Sequence, residues 1–447
     1  MANIYNSDIT TRVLEPSNHS NGRTEFRLDN NSCYLSNLRL INVGGTTNDG
    51  AYANQAEGPR CVIKQIELYS GNQLLDQIVN FNQWDVFRTM TSSNDSQLSK
   101  GQALRQTEWG FVAAGQADWA DPDTDPDPSQ SSIKVTKLFT QGASNLPAVA
   151  DLKKTAWVSL QDVFSFLASS IHLPTGILRD LRLVVIYNNL AEMNKLSTRN
   201  DQTAFAPTRP LLIADEVNPG PMFDSFVASY KGVNYTPVEG DRVIQPAIAL
   251  GDLADTAAGS QLEKNSNNLM NGFTNKYVEK LVIMFQGTDA NTWVNPVSAG
   301  AGGGAGANYN NALVGALGSS NQWRQRVQVR VNGANKLPRQ GLEGKNRTLA
   351  MLADHYADYV NSQASNWVGV QDRTQVTTLD PSFGNYVCIP VEENVSELQI
   401  TYQRYGIYGA TAVANAGTRQ QLVMNVFGIV RKSLMVRDNG SFVIQYV

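Results

Sequence analysis

Cysteine is scarce in this chain of 447 residues, which contains only Cys33, Cys61 and Cys388. The number is odd and none of the three belongs to a CxxC pair, which argues against a disulfide framework. Cysteine often behaves as a small, buried apolar residue. We therefore predict reduced, buried thiols.

Long apolar runs are also missing from the sequence. No stretch reaches the roughly 18 apolar residues that a membrane-spanning helix requires. The N-terminal sequence MANIYNSDITTR lacks the apolar core of a secretory signal. These two absences predict a chain that is made in the cytosol or the nucleoplasm.

Charge of either sign is sparse. Charged residues make up 17% of the chain, and the formal net charge is −4. This balance gives no reason to expect specific nucleic-acid binding. The other polar positions are mostly Asn, Gln, Ser, Thr and Gly, a composition that is typical of a β-protein with many turns.

Catalytic and metal-binding patterns are absent as well. The three histidines, His19, His172 and His355, lie in unrelated contexts without metal-ligand spacing. Asp354, His355 and Asp358 are close in sequence, but neighbouring residues of a helix point in different directions. We find no nucleophile motif and no paired catalytic carboxylates. The sequence predicts a protein that is not an enzyme, with no catalytic, cofactor-binding or metal site and no cofactor.

Three other segments superficially suggest ligand binding. Gly341–Asn346 differs from a phosphate-binding loop at two required positions, and Ala299–Ala307, which contains only Gly and Ala, lacks a strand–loop–helix context. We expect both segments to be loops. The acidic segment Asp118–Pro128 lacks the EF-hand spacing. It is expected to be a solvated loop, with a weak divalent-cation or partner contact as the alternative.

Short strand patterns recur along the whole chain. They are rich in Val, Ile, Leu and Tyr and are bounded by Gly, Asn, Asp or Pro, which favours sandwiches or jelly rolls over βαβ units. The predicted strands are Thr24–Leu28, Leu35–Val43, Val62–Tyr69, Leu181–Tyr187, Phe226–Tyr230, Tyr277–Phe285, Val327–Val331, Glu397–Tyr402, Gln421–Val430 and Ser441–Val447. Helical patterns are few and cover Phe81–Met90, Leu160–Ser169 and Gly344–Asn361.

Three of these patterns appear twice, in the same order. The repeated pairs are Tyr34–Gly44 with Tyr277–Gly287, Ile66–Leu74 with Val329–Leu337, and Leu181–Ile186 with Leu398–Gln403. The length of the chain also suits two domains of ~200 residues. We infer that one β-rich unit is used twice, which favours a structural building block.

The sequence Asn218-Pro219-Gly220-Pro221 gives the best boundary between the two units, because it interrupts regular strand pairing near the middle of the chain. The predicted fold is all-β, with two tandem eight-stranded jelly rolls, a few short helices and long loops. We predict an N-terminal arm at 1–23, a first jelly roll at 24–218, a linker at 219–222 and a second jelly roll at 223–447.

This organisation resembles the double jelly-roll major capsid proteins of tailless double-stranded DNA viruses. The N-terminal sequence most resembles those of the capsid proteins of polinton-like viruses, virophages and nucleocytoplasmic large DNA viruses. The residues that carry the resemblance are Tyr5-Asn6-Ser7, Glu25-Phe26-Arg27-Leu28, Leu35-Ser36-Asn37-Leu38-Arg39-Leu40 and Ile66-Glu67-Leu68-Tyr69-Ser70-Gly71-Asn72.

The resemblance implies a shell subunit located in the virion. Three chains would form a homotrimeric capsomer with a pseudo-hexameric outline and pack against neighbouring capsomers in an icosahedral capsid. The loops Gly44–Arg60, Glu108–Lys153 and Gly287–Trp323 would form outward towers and trimer contacts. The residues before Thr24 would lie at the inner face, against minor capsid proteins or an internal membrane, and penton proteins would be further partners. Synthesis would occur in the host cytoplasm, with assembly there, in the nucleus or in a virus factory.

Two alternatives remain open from the sequence. A minor or vertex capsid component would suit a single roll better than a tandem repeat. A glycan-binding jelly-roll protein could use Trp119, Trp293 or Trp367 to stack on sugars.

Overall fold

Antiparallel sheets dominate the computed structural model of the chain. The structure describes residues 9–47, 50–51, 59–91, 155–192, 203–217, 220–245, 261–287, 323–339, 341–343, 387–407 and 422–447. Within these ranges no helix is long and apolar enough to cross a membrane.

The strands of the first half are β1 (Ile9–Leu14), β2 (Asn18–His19), β3 (Arg23–Arg27), β4 (Cys33–Leu35), β5 (Arg39–Thr47), β6 (Gly50–Ala51), β7 (Ile63–Ser70), β8 (Gln73–Val79), β9 (Thr155–Ser159), β10 (His172–Pro174), β11 (Leu181–Tyr187), β12 (Phe205–Pro207) and β13 (Leu211–Val217). They form two sheets. One contains the path β1–β13–β5–β9, and the other contains the path β3–β11–β7–β8.

The strands of the second half are β14 (Gly232–Tyr235), β15 (Val238–Gln245), β16 (Gln261–Leu269), β17 (Lys276–Gly287), β18 (Trp323–Val331), β19 (Ala334–Asn335), β20 (Leu342–Glu343), β21 (Val387–Val395), β22 (Leu398–Ile407), β23 (Leu422–Val430), β24 (Lys432–Val436) and β25 (Phe442–Tyr446). Two sheets again face each other, with the orders β15–β23–β17–β21 and β16–β22–β18–β19.

Both halves therefore have the same strand order. With the eight strands of a jelly roll lettered B to I along the chain, each half has a B-I-D-G sheet and a C-H-E-F sheet. The three repeated sequence patterns fall on equivalent elements, namely strand D, the E–F hairpin and strand H. The fold is all-β with two tandem jelly rolls, as the sequence predicts.

The E–F hairpins show why the same residues recur. Each turn has two residues between its strands, Gly71-Asn72 in the first roll and Asn332-Gly333 in the second. Gly71, Asn332 and Gly333 have φ angles of 56°, 48° and 83°. Glycine adopts this left-handed region without steric cost and asparagine tolerates it, which is why these two residue types dominate tight hairpins.

The segment predicted as an N-terminal arm contributes strands to the first roll. Strand β1 pairs with β13 from Ile9↔Val217 to Leu14↔Leu212, and β2 pairs with β3. Strand B of the first roll thus precedes Thr24. The segment predicted as one strand, Leu35–Val43, is interrupted between β4 and β5, which both pair with β13.

The described helices are α1 (Phe81–Thr91), α2 (Leu160–Val163), α3 (Ser165–Ser169) and α4 (Phe223–Ser229). Helix α1 matches its predicted position, and the predicted helix Leu160–Ser169 is divided at Phe164. The strand predicted at Phe226–Tyr230 is wrong, because helix α4 occupies most of it. Phe223, Phe226 and Val227 have the i, i+3, i+4 spacing that places side chains on one helical face. The predicted helix Gly344–Asn361 lies outside the described residues.

The described residues form two apolar cores. One lies between the sheets of the second roll and includes Phe273, Leu281 and Val426. The other fills the first roll and continues across the junction to Val282 and Phe427 of the second roll. The two rolls therefore share buried apolar surface, which fixes the junction more firmly than a polar linker contact would.

Candidate functional site

Two of the three histidines lie within the described residues, and they belong to different strands. His19 lies on β2 and its Nδ1 is 2.7 Å from the Thr24 hydroxyl, whereas His172 lies on β10 with its ring 5.5 Å from that of Phe226. Burial lowers the pKa of both imidazoles. Within the described ranges, no group of three or more His, Cys, Asp or Glu residues could hold a metal ion.

Several other candidates lie outside the described residues. These are His355 with its neighbouring aspartates, Asp118–Pro128, Ala299–Ala307, and the tryptophans Trp119, Trp293 and Trp367. The prediction of no catalytic, cofactor or metal site therefore stays a prediction. Cys33 and Cys388 are buried, and burial raises the pKa of the Cys33 thiol to about 12.

The region with the most distinctive geometry is the junction between the two rolls. Its apolar part lies where helix α1 meets the second roll. The rings of Trp84 and Phe427 are 5.3 Å apart, and the Asn80 side-chain amide donates a 3.3 Å hydrogen bond to Asn425 Oδ1. The Asn425 side chain is 1% exposed, so this contact is shielded from water.

A small sheet covers the other part of the junction. Strands β14, β24 and β25 form it, and its partly buried residues Val233, Phe442 and Ile444 pack against the core of the first roll. The Tyr235 hydroxyl donates a 2.6 Å hydrogen bond to the Leu75 carbonyl oxygen of strand β8. This sheet therefore connects the start and the end of the second half to the first roll.

Four charged or phenolic side chains form a polar cluster where this sheet meets the second roll: Glu239 on β15, Lys276 on β17, Lys432 on β24 and Tyr446 on β25. The Glu239 carboxylate accepts hydrogen bonds from the Lys276 ammonium group and, at 2.7 Å, from the Tyr446 hydroxyl. Lys432 Nζ lies 2.9 Å from Glu239 Oε1. Both ammonium groups also lie 4.8 Å from the centre of the Tyr446 ring, within cation–π range.

The electrostatics of the cluster follow from its partial burial. Burial opposes ionisation of Glu239, but Lys432 and Lys276 outweigh it, so the pKa of Glu239 lies below its usual value. Burial, followed by the hydrogen bond to Glu239, raises the pKa of Tyr446. Two cations sharing one carboxylate hold the last strand of the chain against the second roll.

Asp76 is the most perturbed carboxyl group at the junction. It is 1% exposed, and burial raises its pKa from 3.8 to about 7 against the opposing effects of three hydrogen bonds and Lys432. The donors are the backbone N–H groups of Phe166 and Gln77, at 3.0 and 2.8 Å, and the Ser165 hydroxyl, at 3.2 Å. Asp76 thus joins strand β8 to helix α3.

Sequence reasoning missed all of these junction residues. Asp76 gives a local signal, since a lone carboxylate interrupts the apolar strand QLLDQIV. No comparable signal in the sequence marks the polar cluster, because its members lie apart along the chain: Glu239, Lys276, Lys432 and Tyr446.

Asp76 joins elements within the first roll, and the Glu239 cluster joins strands within the second half. The direct links between the rolls are the Asn80–Asn425 and Tyr235–Leu75 hydrogen bonds and the Trp84–Phe427 ring contact. The arrangement presents no nucleophile–base pair, so its evident role is structural.

Comparison with known proteins adds information on the fold. Neither protein-family profiles nor curated protein sequences give a significant match. Among solved structures, VP54 of PBCV-1, fitted into a reconstruction of the virophage Sputnik, is similar over 99% of this chain and 97% of its own. The sequence identity is 11% and the TM-score is 0.51.

Two further structures are similar at lower scores. The Faustovirus major capsid protein is 8% identical, with 96% of this chain and 90% of that chain covered and a TM-score of 0.48. The mavirus major capsid protein is 9% identical, with 98% and 90% covered and a TM-score of 0.47. The VP54 match spans both rolls. The chain therefore has the double jelly-roll fold.

Proposed function

We propose that this chain is a major capsid protein, a non-enzymatic subunit that assembles with copies of itself into the shell of an icosahedral virus. The observation that carries the proposal is the occurrence of the same B-I-D-G and C-H-E-F sheets twice in one chain, with the two rolls joined by a buried junction. Similarity to VP54 over 99% of the chain supports it.

The duplicated architecture has a mechanical rationale in a shell. Three chains with two similar lobes each provide six lobes, and a hexagonal unit tiles a flat facet without gaps. A closed homotrimer satisfies this geometry with one repeated contact. Permanent interfaces of this kind bury ~2,000 Å² or more. A net charge of −4 on 447 residues allows many copies to pack closely without strong repulsion.

Several finer statements belong to the same proposal. The chain is located in the virion and is made in the host cytoplasm, with assembly there, in the nucleus or in a virus factory. Its neighbours are other capsomers, minor capsid and penton proteins, and an internal membrane where the particle has one. The proposed division of the chain places the rolls on either side of 219–222, with strand B of the first roll within 9–14.

The mass of the purified full-length chain tests this function. We expect light scattering after size-exclusion chromatography to give three times the chain mass of 48.9 kDa, and negative-stain images to show a six-lobed outline. A monomer at every concentration up to the solubility limit would overturn the proposal. Binding to a glycan array that requires a single tryptophan would favour the lectin alternative instead.

A further inference from the structure

Three hydrogen-bonded side chains lead from the surface of the first roll into its core. His19 on β2 is half-buried, and its Nδ1 atom lies 2.7 Å from the Thr24 hydroxyl on β3. That hydroxyl lies 2.8 Å from the Tyr187 hydroxyl on β11. Thr24 is completely buried and Tyr187 is 5% exposed. In the part of the chain that the structure describes, these two contacts are the only ones that the hydroxyl groups make.

The second ring nitrogen of His19 determines which nitrogen carries the proton. Burial, followed by the charge of Arg209, lowers the pKa of His19, and a backbone hydrogen bond to Pro207 opposes both effects. Proline has no backbone N–H, so Pro207 contributes its carbonyl oxygen and the imidazole must donate to it. Because Nδ1 faces Thr24, the donor is Nε2. In the neutral ring Nδ1 therefore lacks a proton and accepts one.

The neutral form of this side-chain chain has two protons for two contacts. The Tyr187 hydroxyl donates to Thr24, and the Thr24 hydroxyl donates to His19 Nδ1. Burial raises the pKa of Tyr187 to about 12, so the phenol keeps its proton. Protonation of Nδ1 adds a third proton to the same two contacts. One buried O–H group is then left without an acceptor, which is unfavourable.

The charged groups around the imidazole do not stabilise its cationic form. Arg209 carries a like charge, and its guanidinium group is 2.7 Å from the exposed carboxylate of Glu15. Glu25 points to the opposite face of β3, because side chains alternate along a strand. There its carboxylate is bound at 3.0 Å by each of two arginines, Arg23 and Arg27.

The strand that carries His19 is weakly held. Strand β2 is the outermost strand of its sheet and pairs with β3 through two residues, Asn18↔Glu25 and His19↔Thr24. Ser17 adds hydrogen bonds of 2.8 and 3.0 Å to the Glu25 carbonyl oxygen. Such a short edge strand opens at a small cost in free energy. Rotation of a protonated His19 into solvent restores the Thr24–Tyr187 contact and removes a side-chain anchor of β2.

We propose that His19, Thr24 and Tyr187 form an acid-sensitive latch, which holds β2 against the first roll while the imidazole is neutral and releases it when the imidazole is protonated. The latch lies within one chain, so it goes beyond the proposed function and does not depend on it. In a shell, mild acid would loosen the segment that joins β1 to β3 in each subunit.

The closed latch should become less stable as the pH falls. The pKa of His19 in the closed state lies below the ordinary value of 6.5. The open state therefore binds more protons than the closed state between these two pKa values. Closure is most favourable above pH 6.5, weakens as the pH falls below it, and stops changing below the pKa of the closed state.

Backbone hydrogen exchange of the full-length protein tests the opening. We expect peptides covering β2 and β3 to exchange faster below pH 6.5, by up to roughly tenfold per pH unit after correction for the intrinsic rate. His19→Gln cannot gain a charge, and its corrected exchange should stay constant over the same range. Because position 19 is half-exposed, this variant should fold. The same pH dependence in both proteins would overturn the latch.

A second measurement tests the proton count. Exchange of the histidine Cε1 hydrogen, followed by mass spectrometry over a range of pH, gives the pKa of His19 in the full-length protein. Thr24→Val removes the hydroxyl that favours the neutral ring, so this pKa should rise toward 6.5. The matched control is Thr175→Val, at another completely buried threonine of the first roll, whose hydroxyl donates to the Ser32 carbonyl oxygen. It should leave the pKa of His19 unchanged.

A double variant keeps the test decisive if Thr24→Val folds poorly. Thr24→Val combined with Tyr187→Phe removes both hydroxyl groups and leaves neither unpaired in the core, which is close to neutral for stability. The pKa of His19 should again rise. A pKa equal to that of the wild type in these variants would overturn the latch.

The outcomes separate the latch from the proposed function. A trimeric protein in which β2 exchanges independently of pH overturns the latch alone. A monomeric protein with the expected pH dependence overturns the proposed function and supports the latch.

Discussion

At the scale of single residues, a few polar side chains near the junction are buried away from water. Asp76 shows how burial and hydrogen bonding act in opposite directions on the pKa of such a group. Three hydrogen-bond donors and Lys432 favour its carboxylate, yet burial outweighs them and its pKa rises to about 7. The protonated form is therefore favoured in the folded protein over a pH range in which an unfolded chain would be ionised.

The pH dependence of stability follows from this shift. Between pH 4 and 7 the folded state binds more protons at Asp76 than the unfolded state does. The stabilisation is complete below the ordinary pKa of 3.8 and is lost as the pH rises through about 7, by at most ~1.4 kcal/mol per pH unit. Asp76→Asn has no proton to lose, so its free energy of unfolding should vary less with pH.

Denaturant unfolding of both proteins at several values between pH 4 and 8 checks this prediction. The control Asp438→Asn, at an exposed turn, should follow the wild-type profile. Parallel profiles for wild type and Asp76→Asn would show that Asp76 does not titrate in this range.

At the scale of secondary-structure elements, alternation of apolar and polar residues was sufficient to find the strands. Strand β7, with the sequence IKQIELYS, and strand β11, with LRLVVIY, have buried side chains at the positions that the pattern predicts. The strand predicted at Phe226–Tyr230 failed because five residues satisfy a period of 2 and a period of 3.6 about equally. A longer window that included Phe223 favours the helix.

Close packing of elements gives a sharp prediction at Gly428 on strand β23. An added Cβ at this position would lie 2.3 Å from the ring of Phe273, which is itself 1% exposed in the core of the second roll. Gly428→Ala should therefore lower the free energy of unfolding by about 1–3 kcal/mol, the usual effect of overpacking. Gly22→Ala is the control, since nothing lies within 4 Å of its added Cβ.

Denaturant unfolding of the two alanine variants makes this comparison directly. The Gly428→Ala midpoint should move to lower denaturant concentration, while the Gly22→Ala midpoint stays near that of the wild type. Equal midpoints for all three proteins would mean that Phe273 can move aside, and that strand β23 is less tightly packed against it than the structure shows.

At the scale of the whole molecule, protease sensitivity should follow the division between strands and loops. We expect limited proteolysis to cut first within Asp118–Pro128 or Ala299–Ala307, because their composition favours irregular backbone that a protease can bind. Mass spectrometry of the fragments locates the cuts. An initial cut within strand β5 or β17 would contradict the assignment, since those strands lie inside paired sheets.

The sequence by itself determined the class of fold and its duplication. Three kinds of local feature carried this information: hairpin turns with Gly or Asn, strands with alternating apolar and polar residues, and three patterns repeated in the same order. They depend on local conformational preference, so they can be recognised in the sequence without knowledge of any tertiary contact. They were enough to predict two tandem jelly rolls and a structural role.

Only the tertiary structure decided how the rolls meet and which surface each one leaves free. Glu239, Lys276, Lys432 and Tyr446 come together because strands β15, β17, β24 and β25 converge where the small sheet meets the second roll. Arg39 and Val282 are equivalent in the repeat, yet one is partly exposed and the other buried. That difference depends on what packs against each sheet. Packing between segments that are distant in sequence produces no periodic pattern of apolar and polar residues, so it could not be predicted from the sequence.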